Sequence, residues 1–344
     1  MQEMETKENQ IIHGVIWKQL LIFFFPILLG TFFQQIYNTA DTVVVGRFVG
    51  TEALAAVGGS TSQIINLIVG FFTGLASGAT VVISQHYGAK QEDGVQKALH
   101  TAYAFSVVGG IIISIMGILI TRPLLKLMNT PDNIIDLSAT YLCIYFAGLV
   151  FVFIYNVGAG ILRAVGDSRR PLYFLILCCF INIVLDIILI VFFKMGVAGA
   201  AIATTFSQGI SAVMVTVTLC RTTDIFRLRV KKIRFHAQPM GMIVKIGLPA
   251  GLQSVMYSLS NVIIQSSLNT FGTETVAAWT AFSKIDAIYW MISGAFGIAI
   301  TTFVGQNYGA GKFGRMKKSV RVCLAMDIGA SILISVVLFF LGGY

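Results

Sequence analysis

Residues 106–120 read SVVGGIIISIMGILI. No charge interrupts the stretch, and apolar and polar residues do not alternate along it. A strand of a membrane barrel would alternate over about ten residues, so the run reads as helix. With its flanks, 98–121, it is long enough to cross a hydrocarbon layer, which takes about 20 helical residues. In lipid each backbone amide must find its partner inside its own segment, as a helix allows. Residues 331–341, SILISVVLFFL, have the same character. The whole chain agrees: 344 residues, 56% hydrophobic, 11% charged, with a mean hydropathy of +0.83. Soluble domains carry about 25% charged residues. The sequence is therefore that of an all-α, multi-pass membrane protein.

Working outward, nine spans are expected, at about 17–45, 53–84, 98–121, 137–162, 171–193, 197–220, 241–270, 276–304 and 319–341. Lys and Arg collect in the even-numbered loops, above all in RLRVKKIR at 227–234 and KFGRMKKSVR at 312–321. The odd loops hold only Arg47, Arg122, Lys126 and Lys194. Basic loops stay in the cytoplasm, so the N-terminus and even loops are expected there, with the chain in the inner (cytoplasmic) membrane. The net charge of +9 is then mostly topology. Lipid headgroups are the expected partners of the 227–234 run, rather than nucleic acid. The polar, mixed-charge start MQEMETKENQ is unlike a cleavable signal, and the first helix is expected to act as an uncleaved one. Cys143, Cys178, Cys179, Cys220 and Cys323 form no CxxC or Cys/His ligand set, which leaves them as buried thiols.

The chain also repeats itself. Pro26 in FFFPILLGTFFQQ corresponds to Pro249 in KIGLPAGLQSV; VGTEALAAVG (49–58) echoes FGTETVAAWT (271–280); QHYGAK (85–90) returns as QNYGAGK (306–312). Six spans separate the equivalents, an even number, so the repeats run parallel about an axis along the membrane normal, a known transporter plan. On this reading residues 1–220 form a complete six-helix lobe, 221–240 a connecting loop, and 241–344 a second lobe with three helices.

Ionisable residues at membrane depth are costly and point to function. Asp41, Asp186, Asp286 and Asp327 qualify. Gln34, Asn38 and Asp41 share one face of the first helix, and Asn182 lies one turn before Asp186 on the fifth. If these two helices converge, their carboxylates would share a pocket able to take and give up a proton or to hold Na⁺. Either Asp could instead only hydrogen-bond a neighbouring helix. Gln253, Tyr257, Asn261 and Gln265 recur every four residues, a stripe suited to a cavity wall. Lys284 and Asp286 are two residues apart and do not face each other on a helix, so no pair between them is assured and their role stays open. Asp327 reads as a packing or snorkelling residue. No nucleophile–base pair or HExxH motif suggests an enzyme, and neither a cofactor nor a resident metal is expected.

These residues resemble the multidrug and toxic compound extrusion (MATE) family. The spacing of Pro26, Gln34, Asp41 and Gly46 is similar to its opening signature. So, in the same order, are QHYGAK at 85–90, LRAVGDSRRP at 162–171, NIVLD at 182–186 and GVAGAAIAT at 196–204. The resemblance implies a cation/drug antiporter of twelve helices in two six-helix lobes, so nine helices make this chain a fragment or a natural short form. It places a cation site on Asp41, Asn182, Asp186 and Thr204, with Tyr37 and Tyr141 nearby. Some relatives carry a glutamate on the seventh helix, but LQSVMYSLSN (252–261) holds no acid, so that second site is not expected. The expected activity is export of small amphipathic organic cations by a monomer, coupled to H⁺ or Na⁺. The alternatives are a lipid-linked oligosaccharide flippase, which would need a basic cavity where only Lys284 is available, and a fragment that no longer transports.

Overall fold

The computed structural model describes residues 10–268 and 273–341, without the side chains of 262, 265, 266, 273–277, 280, 281, 284 and 285. Regular structure among the described residues is helical: α1 Gln10–His13, α2 Ile16–Phe48, α3 Thr51–Gly58, α4 Ser60–Gly88, α5 Glu92–Leu127, α6 Asp132–Ala147, α7 Leu149–Ala164, α8 Arg169–Asp186, α9 Gly196–Arg221, α10 Ala237–Leu268, α11 Thr273–Gly309 and α12 Phe313–Leu341. Among the described residues, eight stretches are long and apolar enough to span a membrane, and the bent pair α6–α7 brings them to nine. This matches the spans expected from hydropathy.

Three irregularities were not legible in the apolar pattern. The second span is broken at Gly59 into α3 and α4. The fourth bends by 47° at Gly148. There the α9 side chain Thr205 presses against the glycine, where a Cβ would overlap it, and its hydroxyl donates to the Ile144 carbonyl at 3.4 Å. A glycine with an inserted side chain is a standard cause of a kink. The fifth span changes pitch after Asp186 into a π-helical turn, Ile187–Phe192, a form that often accompanies functional sites.

Of the four apolar cores among the described residues, two are the largest. One gathers apolar residues of α4, α5, α7, α8 and α9, with Phe226 and Leu228 from the α9–α10 loop tucked beneath. The other joins α1, α2, α11 and α12 around Leu20, Phe23, Phe24, Phe296 and Phe303. Phe24 stacks on Phe296 with centroids 4.1 Å apart, and Phe23 meets Phe303 edge-on at 6.2 Å.

α4 is the central element, since it lies against both α10 and α11. Against α10 the contact is backbone to backbone: a Cβ at Gly74 would collide with Gly251, and one at Gly78 with Gly247 and the Ile243 carbonyl. Small residues permit such approach in membrane bundles. Against α11 the contact is made by the repeated motifs themselves. Gly88 of QHYG abuts the Gln306 backbone, and Gly309 of QNYG abuts the Gln85 backbone. The exchange is reciprocal, as a pseudo-twofold axis between the two motifs requires.

This junction lies at the face of the bundle that carries the basic loops. Gln306 Nε2 extends it by donating to the Ala164 carbonyl at 2.7 Å. α1 lies across the same face. Its exposed C-terminal carbonyls are capped by cations of the α11–α12 turn, with Arg315 donating to Ile11 O at 3.0 and 3.2 Å and Lys312 to Ile12 O at 3.3 Å.

Candidate cation site and cleft

Four helices bring polar groups to one buried point. α2 contributes Tyr37 and Asp41, α6 Tyr141, α8 Asn182 and Asp186, and α9 Thr204 and Gln208; each is at most 7% exposed. The Thr204 hydroxyl donates to Asp41 Oδ2 at 3.1 Å, and Asn182 Nδ2 donates to Thr204 Oγ1 at 3.4 Å. Tyr141 is buried beside them. Gln208 Nε2 donates to the Tyr37 hydroxyl at 3.3 Å. The Asp41 and Asp186 carboxyl groups are themselves within hydrogen-bonding reach of each other. The local sequence explains the convergence. The α6–α7 bend sets the Tyr141 end of α6 against α9, and Asp186 is the last α-helical residue before the π turn.

The chemistry of this cluster follows from its acceptors. Asp41 Oδ1, Asn182 Oδ1 and both Asp186 oxygens are buried with no hydrogen-bond donor among the described residues. Two carboxylates in contact cannot both keep a full charge away from water without a compensating positive charge. A proton shared between them supplies one solution. A monovalent cation held by carboxylate, amide and hydroxyl oxygens supplies another. Among the described residues no three His, Cys, Asp or Glu side chains gather as a metal site would need.

Sequence reasoning missed part of this cluster. Thr204, Ser207, Gln208 and Ser211 are all buried on α9, and their spacing of three, four and seven residues is a polar stripe on one helical face. That stripe is visible in TTFSQGIS (204–211) once α9 is read for polar rather than apolar periodicity.

The other expected site residues lie apart from this cluster. Gln34 and Asn38 are exposed. Gln253, Tyr257 and Asn261 are exposed on α10, with Tyr257 against Trp290 at a centroid distance of 5.5 Å. Gln265 and Lys284 lie outside the described residues. Asp286 is half-buried and accepts from Trp290 Nε1 at 3.1 Å; Asp327 accepts from Ser293 Oγ at 3.1 Å.

The α4–α10 contact runs outward as far as Gly70 against Ser254. Further from the basic face, the same side of α4 continues as Asn66 and Gln63, and that of α10 as Asn261, by helical register. All three are exposed. The two helices thus touch near the basic face and carry exposed amides beyond it. Gln63 and Asn66 went unnoticed in the sequence because they belong to a run that is otherwise strongly apolar.

Comparison with known proteins accords with this architecture. The MatE family profile matches residues 26–188 and 249–344. The probable multidrug resistance protein YoeA of Bacillus subtilis (strain 168) is 31% identical over 350 residues, covering 98% of this chain and 75% of its own length. Among solved structures, an outward-facing multidrug resistance MATE family transporter of the MOP superfamily aligns with a TM-score of 0.89 at 25% identity. That alignment covers 98% of this chain and 74% of the other. A MOP superfamily transporter from Pyrococcus furiosus Vc1, described as having a binding pocket of reversed polarity that suggests a different function, aligns equally well. Its TM-score is 0.89 at 26% identity, over 98% of this chain and 74% of its own. From the paired helices to the matched residues, the chain is a multi-pass membrane protein that belongs to the MATE family.

Proposed function

We propose that the chain works as a multidrug exporter in which H⁺ or Na⁺ moving inward drives amphipathic organic cations outward across the inner membrane. The observation that carries this reading is that Asp41 and Asp186 are brought together with Thr204 and Asn182 in one buried cluster of amides and hydroxyls. A buried acidic pair exchanges its compensating charge for an ion from solution, which gives the transporter its coupling step. The basic face is assigned to the cytoplasm by its Lys and Arg, with the N-terminus on the same side. Residues 1–220 act as a complete six-helix lobe, 221–240 as the connection and 241–344 as a three-helix part of the second lobe.

In this mechanism the conformation described here is closed on the cytoplasmic side by the paired Gln-x-Tyr-Gly motifs and open outward. Gln34, Asn38, Gln63, Asn66, Gln253, Tyr257 and Asn261 offer uncharged polar and aromatic contacts to a planar cation, with cation–π attraction from Tyr257 and its neighbour Trp290. An ion arriving at Asp41 and Asp186 changes how α2, α8 and α9 pack, which releases substrate outward. The lobes then rock about the α4–α11 junction. Such coupling requires ion and substrate to favour different states.

Direct ion binding tests the site. Proton uptake by the purified chain, read with a pH indicator, and Na⁺ binding, read by calorimetry, are measured for wild type and for Asp41→Asn and Asp186→Asn. Loss of one of these ion responses in both variants, with helicity unchanged, supports the assignment. Survival of every wild-type ion response in both variants contradicts it and raises the flippase reading.

A further inference from the structure

A cavity of about 670 Å³ opens on the basic face between the first turns of α5 and the α9–α10 loop. The loop, TTDIFRLRVKKIRFH at 222–236, is a strap with alternating sides. Phe226 and Leu228 are buried at 5% and 2% in the core beneath it, which turns Arg227 and Arg229 outward. Lys231, Lys232 and Arg234 follow, also exposed.

α5 holds the strap's backbone in place. Gln96 Nε2 donates to the Ile225 and Arg227 carbonyls. The buried His100 accepts from the Arg229 amide at 3.0 Å through Nε2, while its Nδ1–H donates to Gln96 O at 2.7 Å, which fixes the tautomer. The His236 amide donates to Thr101 Oγ1 at 3.1 Å.

The charge on this wall is unbalanced. Six Lys and Arg side chains line the cavity against three carboxylates, Glu92, Asp93 and Asp224. Lys97 is already taken by Asp93 at 2.6 Å. Arg227 donates to the Cys220 carbonyl at 3.0 Å, and Arg234 to His236 Nε2 at 3.1 Å. Arg229, Lys231 and Lys232 enter none of the ion pairs among the described residues. Burial, then Arg234, Lys97 and His100, hold the His236 imidazole below its ordinary value, a second sign of positive potential. Topology accounts for cations on this face. It does not account for their being set on a wall pinned by three buried or half-buried α5 side chains.

We propose that this cavity is a binding site for a phosphorylated anion, with Arg229, Lys231 and Lys232 meeting its phosphoryl oxygens. Such a group can come from an anionic phospholipid at the leaflet surface or from a small phosphorylated solute in the cytosol. Charge-assisted contacts from Arg and Lys suit phosphate oxygens in either case. Occupancy would hold the strap that joins α9 to α10.

The test uses the full chain. Retention of phosphatidylglycerol against phosphatidylcholine is read by native mass spectrometry, and sodium pyrophosphate binding by calorimetry. Both are repeated on R229Q/K231Q/K232Q and on K317Q/K318Q, which removes exposed charge elsewhere on the basic face. Preferential phosphatidylglycerol retention that falls on the order of a hundredfold in the strap variant and persists in the control supports the site with a lipid occupant. Saturable pyrophosphate binding with the same pattern supports it with a free solute. Wild type showing neither, or both variants losing binding equally, overturns it. The wild-type measurement and single R229Q, expected to weaken binding about fivefold, keep the test decisive should the triple variant misfold.

Discussion

Thr204 stands between the two halves of the acidic cluster, giving its proton to Asp41 and receiving one from Asn182. Thr204→Val keeps the shape and removes both bonds, leaving a buried carboxylate oxygen and a buried amide without a partner. The expected cost is about 1–3 kcal/mol, seen as a lower melting temperature, and Thr204→Ser should restore it. A valine variant as stable as wild type would mean that the hydroxyl does not bind this cluster together. Asp41, Asn182 and Asp186 were legible in the sequence because acids and amides are conspicuous in apolar runs. Thr204, Tyr37 and Tyr141 came only through family resemblance, since threonine and tyrosine are ordinary helix residues in membranes. Gln208 stands out only once α9 is read for polar periodicity, and its partner Tyr37 is set by the α2–α9 approach.

Among the elements, α4 and α11 carry the most demanding contact. A methyl group at Gly88 or Gly309 would lie on the backbone of the opposite motif, and overpacking of this kind costs about 1–3 kcal/mol. Gly309→Ala should open the basic face, with faster amide exchange around 84–90 and 304–310 and with dye still bound. Unchanged exchange would show that the motifs do not form the closed end. The repeat of QHYG and QNYG was plain in the sequence; that the two copies touch each other was not, because contact across an axis leaves no local pattern.

The strap is the second element with a testable property. His236 is faced by Arg234, by Lys97, Asp93 and His100 of α5, and by Thr101, and its value is depressed by burial first. A depressed imidazole favours the docked strap at high pH. Docking is complete above the ordinary value of about 6.5 and weakens as pH falls below it, because the detached strap binds the proton more readily. Amide exchange across 222–236, corrected for intrinsic rate, should accelerate between pH 7.5 and 5.5, and His236→Gln should flatten that change. Equal pH dependence in the variant would place the titration elsewhere.

For the molecule as a whole, hydropathy supplied the span number and the basic loops a proposed orientation, since both follow from the cost of burying charge in lipid. The bend at Gly148 escaped because it arises where Thr205 of α9 presses on the glycine, and the break at Gly59 and the π turn after Asp186 leave no mark in the apolar pattern. Two of them lie on helices that carry site residues or directly follow one: the π turn begins after Asp186, and the bend at Gly148 follows the helix that holds Tyr141. The central claim is that ion occupancy at this cluster and substrate in the cleft are linked, and linkage is reciprocal in binding free energy. The most direct measurement is the affinity of a fluorescent organic cation for the purified chain and for Asp41→Asn, at low and high pH, with and without Na⁺. Wild type should lose dye on acidification or on addition of Na⁺, and Asp41→Asn should bind dye with no such response. Equal responses in the two proteins, or wild-type affinity indifferent to both ions, would contradict coupling through Asp41.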